Sequence, residues 1–385
     1  MKTINLQHRL AKILAGFSSR NPQTSKFQAC LTYQPPRNDF PVPQLVLFTL
    51  RDIMGFQCNG PAEKCAWWIS CSFMGHAISF ELRKFGFTIC YEDHPTVDIK
   101  RIIGQLKTAI SKVEKFLDPI AKSCVEAGHV TIENHYREFE NRYRFFRTLA
   151  DESYASSIAL EQETSRPEDH SAEDLEKFTE QINKHTTLLL NGFYYSTAMI
   201  DAYFSRLEHQ LILIRAFCGQ PLAKKELVEF LTMKWGEKFK FLVNVKSNPA
   251  VQDCYARLKA LKERIRNPLA HGGVENSGGS LYIHIPRIGA LPATLTKIKN
   301  SPRFNFIPIV QEDYQTACSL FDKIDEIIFA GELARPQKLV TTQIDAAFDA
   351  RSIEKYQKII SSDKETENYI DHWHQEWERY ANMDY

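Results

Sequence analysis

The stretch Trp68–Tyr91, "WISCSFMGHAISFELRKFGFTICY", alternates apolar and polar residues over most of its length. Successive side chains of an extended chain point to opposite faces, so such alternation marks strands with one buried face. Ile69, Cys71 and Phe73 share a face, and so do Ile78, Phe80 and Leu82. Gly75 and His76 read as the turn between these two runs. "FGFTICY" resumes the alternation through Phe85, Phe87, Ile89 and Tyr91. Three short strands in a row predict an antiparallel meander. Upstream, "YQPPRNDFPVP" is a loop, because its prolines lack donors and restrict their neighbours. Residues 1–95 therefore read as a small α+β domain. No motif in it connects to chemistry, and its place ahead of the rest of the chain suggests a sensor or regulatory role.

From about Asp98 the apolar period becomes helical, through Ile102, Leu106, Ile110, Val113 and Leu117. A second helix is expected from about Ile132 to Tyr154. Its stretch "HYREFENRYRFFR" is open to two readings. One is a core stripe with solvated arginines, and the other is a stacking and charged surface for nucleic acid. Residues 96–160 read as connecting helices. Glu161–Glu176 carries seven acids and one arginine, and Pro167 interrupts any helix there, which marks a boundary. Beyond it, Leu175 to Ile214 keeps helical spacing for some forty residues, either as one helix or as two divided at Asn191-Gly192. Further helices are expected over Leu222–Asn244 and Val251–Ile265. A Gly-rich loop, "HGGVENSGGS", follows, then "LYIHIP" and "FNFIPI" as a strand pair, then a helix over Tyr314–Phe329. Residues 174–330 thus read as an antiparallel helical bundle with a short β insertion. Residues 331–385 form a charged helical tail whose Tyr369, Trp373 and Trp377 dock on the protein itself or on a second subunit. The fold class is α+β, mainly α.

The chain has 385 residues, enough for two or three compact units, and a net charge of +1, which names no partner. Its nine cysteines contain no Cys-x-x-Cys pair and their number is odd. They read as mostly buried thiols of a reducing compartment. Charges interrupt the apolar N-terminus, unlike a secretory signal, and no apolar run approaches the roughly 18 residues of a membrane span. A soluble, cytoplasmic protein with no membrane association is expected. The histidines show no ligand spacing, so neither a metal nor a cofactor is expected.

The segment with the most chemistry is Ile265–Gly273, "IRNPLAHGG", directly after the helical run "YARLKALKER". On an unbroken helix Arg266 and His271 would point about 140° apart. Pro268 forces a kink or restart, which can turn guanidinium and imidazole to one opening, with Asn267 capping the new turn or orienting either partner. Histidine moves protons near neutral pH and arginine grips phosphate oxygens in a bidentate manner. The pair therefore suits attack on a phosphodiester, and in RNA the 2′-hydroxyl is a built-in nucleophile. Residues 222–266 hold eleven Lys or Arg and five Asp or Glu, a net of +6, as a polyanion requires. The competing reading is a helix C-terminus whose basic residues complement the dipole and whose glycines end it.

"RNPLAHG" at the end of a bundle helix resembles the Arg-Asn-x-x-x-His signature of the HEPN superfamily (higher eukaryotes and prokaryotes nucleotide-binding domain). "FYYSTAMIDAYFSRLEHQLILIRAF" is similar to the long second helix of that fold, and "KWGEKFKFLV" and "YQTACSLFDKIDEIIF" resemble later ones. The resemblance covers about 174–330 and implies a HEPN-like helical bundle. It implies a metal-independent endoribonuclease of the toxin or anti-phage defence type, acting on an RNA substrate as a homodimer with a composite active site. It also implies an antitoxin or trigger protein as partner. Arg266 and His271 would be the catalytic pair, Asn267 the polar residue after the arginine, and Glu208 on the long helix, with Asp201 as second choice, the acidic residue beside them. The alternative is a non-catalytic HEPN module that binds a nucleotide, an RNA or a protein partner.

Overall fold

The computed structural model describes residues 2–19, 30–163, 172–222, 225–246, 248–263, 281–296, 301–303 and 309–382. The chain divides into two compact units, Met1–Glu126 with Tyr369–Tyr385, and Ala127–Asn368. The architecture is α+β and mainly helical, with an antiparallel sheet near the N-terminus.

In the first unit the meander forms as β4 (Cys65–Phe73), β5 (His76–Arg83) and β6 (Gly86–Glu92). β1 (Phe17–Ser19) and β2 (Cys30–Tyr33) extend it in the order β1-β4-β5-β6-β2, and β3 (Cys58–Asn59) pairs with β4. The first turn sits one residue earlier than expected. Phe73 pairs with His76, so Met74 and Gly75 make the turn and His76 begins a strand. Both turn residues have positive φ, 52° and 89°, the backbone twist that two-residue hairpins favour. The expected face is correct for Ile69, Cys71, Phe73, Ile78, Phe80 and Ile89, all essentially inaccessible. Phe85 departs from it: it lies in the β5–β6 turn and is 81% exposed.

The buried face is covered by α1 (Lys2–Ile13), by α2 (Gln44–Leu47) with the helical turn Phe48–Ile53 that continues it, and by α3 (Ile99–Glu126). Leu6, Leu10, Val46, Leu50, Ile102, Leu106, Ala109 and Val113 join the sheet's apolar residues in one core. Full burial of such a side chain contributes about 1.5–3 kcal/mol. The helices expected as a connector over 96–160 fall on both sides of the division at Glu126, since the apolar stripe of α3 is buried in the sheet's core. No disulfide joins the nine cysteines; four are buried, four half-buried, and Cys30 is exposed.

The second unit is built on α4 (Tyr136–Glu163) and α5 (Ala172–Phe217). Glu140 meets Arg206 and Tyr154 meets Gly192, so the two run antiparallel. The spacing from Leu175 to Ile214 belongs to one 46-residue helix. The helix expected over Leu222–Asn244 is two, α6 (Glu226–Thr232) and α7 (Trp235–Leu242), followed by α8 (Pro249–Leu261). Asn248 caps α8 by accepting from Ala250 N at 2.9 Å, with Pro249 in the first turn. β8 (Leu281–Ile285) pairs with β9 (Gly289–Thr296), and β10 (Ser301–Arg303) with β9. The expected strand partner "FNFIPI" lies outside the described residues except for Ile309. α9 (Gln311–Ile328), α10 (Ala334–Thr341) and α11 (Ala350–Ile359) pack onto α5. The two-residue strands β7 (Thr131–Ile132) and β11 (Ala346–Ala347) pair, and α12 (Asp363–Asn382) closes the chain. Among the described residues no helix is long and apolar enough to cross a membrane.

Candidate functional site at the α5, α7 and α8 contact

α5 presents Phe204 and Glu208, one turn apart, to α7. The start of α7 answers with Trp235 and Lys238, three residues apart. Trp235 meets Phe204 edge to face, with ring centroids 5.4 Å apart. Lys238 Nζ donates to Glu208 Oε1 at 2.8 Å. The burial of the pair is asymmetric, with the lysine side chain 2% exposed and the glutamate 41%. An ammonium removed from water needs a fixed acceptor, so Lys238 holds one carboxylate oxygen of Glu208 in place.

α8 delivers its C-terminal end to the same place. Cys254, Leu258 and Leu261 are buried. The next residue, Lys262, sits with Nζ 5.2 Å from the ring centroids of both Phe204 and Trp235, a cation over two aromatic faces. The described chain leaves α8 at Glu263, three residues before Arg266. Arg266, Asn267 and His271 lie outside the described residues, as does Ile265. Of the four expected site residues, Glu208 is described, and it lies one helical turn from the aromatic pair that seats Lys262. Asp201, the second choice, lies elsewhere: its Oδ2 is 3.6 Å from Arg142 Nη2 of α4.

The basic segment 222–266 is not uniform. Lys238 is buried in an ion pair, whereas Lys234, Lys240, Lys246 and Lys259 are exposed. A lysine at the buried position of the stripe Trp235, Lys238, Phe239 was a visible signal that a bare charge count overlooks.

A second polar cluster was not legible in the sequence. Arg206 of α5, almost wholly buried, donates to Glu140 of α4 and Asp325 of α9. Its guanidinium lies 4.9 and 4.6 Å from the ring centroids of Tyr143 and Tyr203. Burial raises the pKa of Asp325, against the pull of Arg206. For Glu140, burial acts in the same upward direction, but Arg206 and Arg144 outweigh it and the net shift is down. Nearby, Arg147 holds Asp322 through two hydrogen bonds of 2.5 and 2.8 Å and donates to Tyr143 Oη at 2.8 Å. In the stretch "HYREFENRYRFFR", Tyr136 and Tyr143 are therefore buried, and Arg144 and Arg147 are paired with acids. Its two tyrosines form a core stripe, Arg142 also pairs with an acid, and Phe145 is exposed. No protein-family model, curated protein or solved structure matches the chain.

Proposed function

We propose that the chain is a metal-independent endoribonuclease with a HEPN-like bundle, of the toxin or anti-phage defence type. Arg266 grips the scissile phosphate and His271 moves protons. The 2′-oxygen forms a bond to phosphorus, the bond from phosphorus to the 5′-oxygen breaks, and a 2′,3′-cyclic phosphate remains. One His271 accepts the 2′-hydroxyl proton. In a homodimer with facing motifs, the second His271 donates a proton to the leaving 5′-oxygen. Asn267 orients this pair, and Glu208 stands beside it.

The observation that carries the reading is the seat of Lys262. Four residues before Arg266, α8 is held on Phe204 and Trp235, one turn along α5 from the Glu208 carboxylate. The signature Arg-Asn-x-x-x-His thus follows a helix end fixed next to an acid that Lys238 holds. A basic flank of net +6 suits a polyanionic substrate.

The test is cleavage of end-labelled RNA by the purified protein in EDTA, with Arg266→Ala and Asn267, His271 variants alongside. Wild type is expected to cut and to leave cyclic phosphate ends. Arg266→Ala and His271→Ala are each expected to lose at least about 100-fold in rate, the scale of a lost transition-state contact for the arginine and of a lost general acid–base group for the histidine. Equal cleavage by wild type and either variant would sink the assignment. RNA binding without cleavage by wild type would favour the non-catalytic HEPN module.

A further inference from the structure

A pocket of about 490 Å³ lies in the second unit between α7, the turn after it, and α8. Val245, Tyr255 and Ala260 give it apolar surface, and the exposed Lys240, Lys246 and Lys259 line it with positive charge. The one acid among its lining residues is Glu263, 3.7 Å from Lys259. The three lysines come from three places in the fold: α7, the turn and α8. A solvated helix face would explain lysines along one helix, but not their convergence on one hollow. Glu263 offsets Lys259 alone, so the lining keeps an excess of positive charge that attracts an anion.

The aromatic wall is fixed. Tyr255 stacks on Phe239 with centroids 5.7 Å apart and rings 22° from parallel. Its hydroxyl donates to Gly236 O at 3.5 Å, and a Cβ on Gly236 would come within 2.8 Å of that hydroxyl. Lys240 Nζ lies 5.0 Å from the Tyr255 ring centroid, so this cation is held against the wall. Phosphates on the lysines, with sugar edges against the apolar surface of Val245, Tyr255 and Ala260, match the positively charged groove that tracks a single strand's backbone. The volume is in the range of ligand pockets, about 300–1,000 Å³.

We propose that this pocket is a subsite for single-stranded RNA, with Lys240, Lys246 and Lys259 as its phosphate contacts. Lys259 precedes Arg266 by seven residues on the chain, and the subsite is assigned to the same RNA strand. The identity of the strand rests on the ribonuclease reading above.

The experiment measures binding of a short, unstructured, fluorophore-labelled RNA by the full chain. Every protein carries His271→Ala, so that the RNA stays whole. The pocket variant is K240Q/K246Q/K259Q. The control, K100Q/K112Q/K115Q, removes the same charge from exposed positions on α3 in the first unit. Circular dichroism and melting temperature check that both remain folded. The pocket variant is expected to bind about 100-fold more weakly at about 0.1 M salt, and its log–log salt slope to fall by about 2, at about 0.7 per phosphate contact. The control is expected to change affinity by less than about threefold. Equal losses in both variants, no loss in the pocket variant, or no RNA binding at all would overturn the proposal. The same lysine variants with His271 intact separate the two readings. Pocket-dependent binding without cleavage by wild type would remove the ribonuclease and leave the subsite. Cleavage by wild type that the pocket variant retains in full would remove the subsite and leave the ribonuclease.

Discussion

Arg206 is the residue on which the second unit's packing is most exposed to loss. Its charge is out of water and balanced by Glu140 and Asp325, so its removal leaves, among the described residues, Asp325 with only the Tyr203 hydroxyl and Glu140 with only the exposed Arg144. Arg206→Met is expected to cost about 3–5 kcal/mol in urea unfolding. Arg147→Met, which breaks a pair whose side chains are 30% and 49% exposed, is expected to cost about 1 kcal/mol or less. Similar losses for both would show that burial is not what matters here. His209 supplies a pH test. Its Nε2 accepts from His135 N at 3.0 Å, and burial, helped by His135 and opposed by Glu138, lowers its pKa to about 4. An unfolded histidine titrates near 6.5. Between these values the unfolded chain binds more protons, so this group's contribution is complete above about pH 6.5 and is lost as pH falls through about 4. Melting temperature should therefore fall less steeply over that window in His209→Gln than in wild type; parallel curves would exclude the histidine as the cause. None of this was readable in advance. Arg206 sits three residues after Tyr203 on the core stripe, but its acids lie 66 and 119 positions away, and no local pattern names such partners.

At the scale of elements, Gly192 explains why α5 is one helix. Glycine inside a helix costs about 1 kcal/mol relative to alanine, which left a break at that position open. A Cβ there would lie 2.7 Å from Cε1 of Tyr154, a buried ring of α4. The glycine is kept for the close approach of two helices. Gly192→Ala should therefore destabilise by about 1–2 kcal/mol in spite of its better helix propensity, because the ring has little room to move. A stabilised variant, measured by urea unfolding, would show that the contact relaxes freely. The break between α6 and α7 was hidden for the opposite reason: Met233 and Lys234 are neither proline nor glycine, and the nearby Gly236 falls inside α7. Phe230 and Phe241 would be about 16 Å apart along one continuous helix. Their ring centroids are 5.5 Å apart, so the chain must fold back between them, at the extended Met233 and Lys234. Contacts made after folding, not local propensity, set that boundary. The strands β4 to β6 were legible because alternation is a local property; the turn between β4 and β5 slipped by one residue, and Phe85 fell in the β5–β6 turn instead of on the strand face.

At the scale of the whole molecule, the chain is two units, with the sheet unit taking α3 and the C-terminal helix's end. The change from strand to helical period near Asp98 was visible, but it does not coincide with the division at Glu126, because α3's apolar stripe is satisfied by a sheet that precedes it. Of the candidate site, the sequence offered the motif and the acid Glu208; Lys238 stood out only as a lysine on an apolar stripe, and its pairing with that acid emerges from packing. The proposed reaction makes the substrate supply its own nucleophile. The direct measurement is single-turnover cleavage, in EDTA, of two RNAs that differ only in the 2′-hydroxyl of the nucleotide 5′ to the cut. The expected result is cutting of the ribose substrate to a 2′,3′-cyclic phosphate, and no cutting at that bond where hydrogen replaces the hydroxyl. Cutting of both at the same rate would contradict attack by the 2′-hydroxyl and, with it, the roles given to Arg266 and His271.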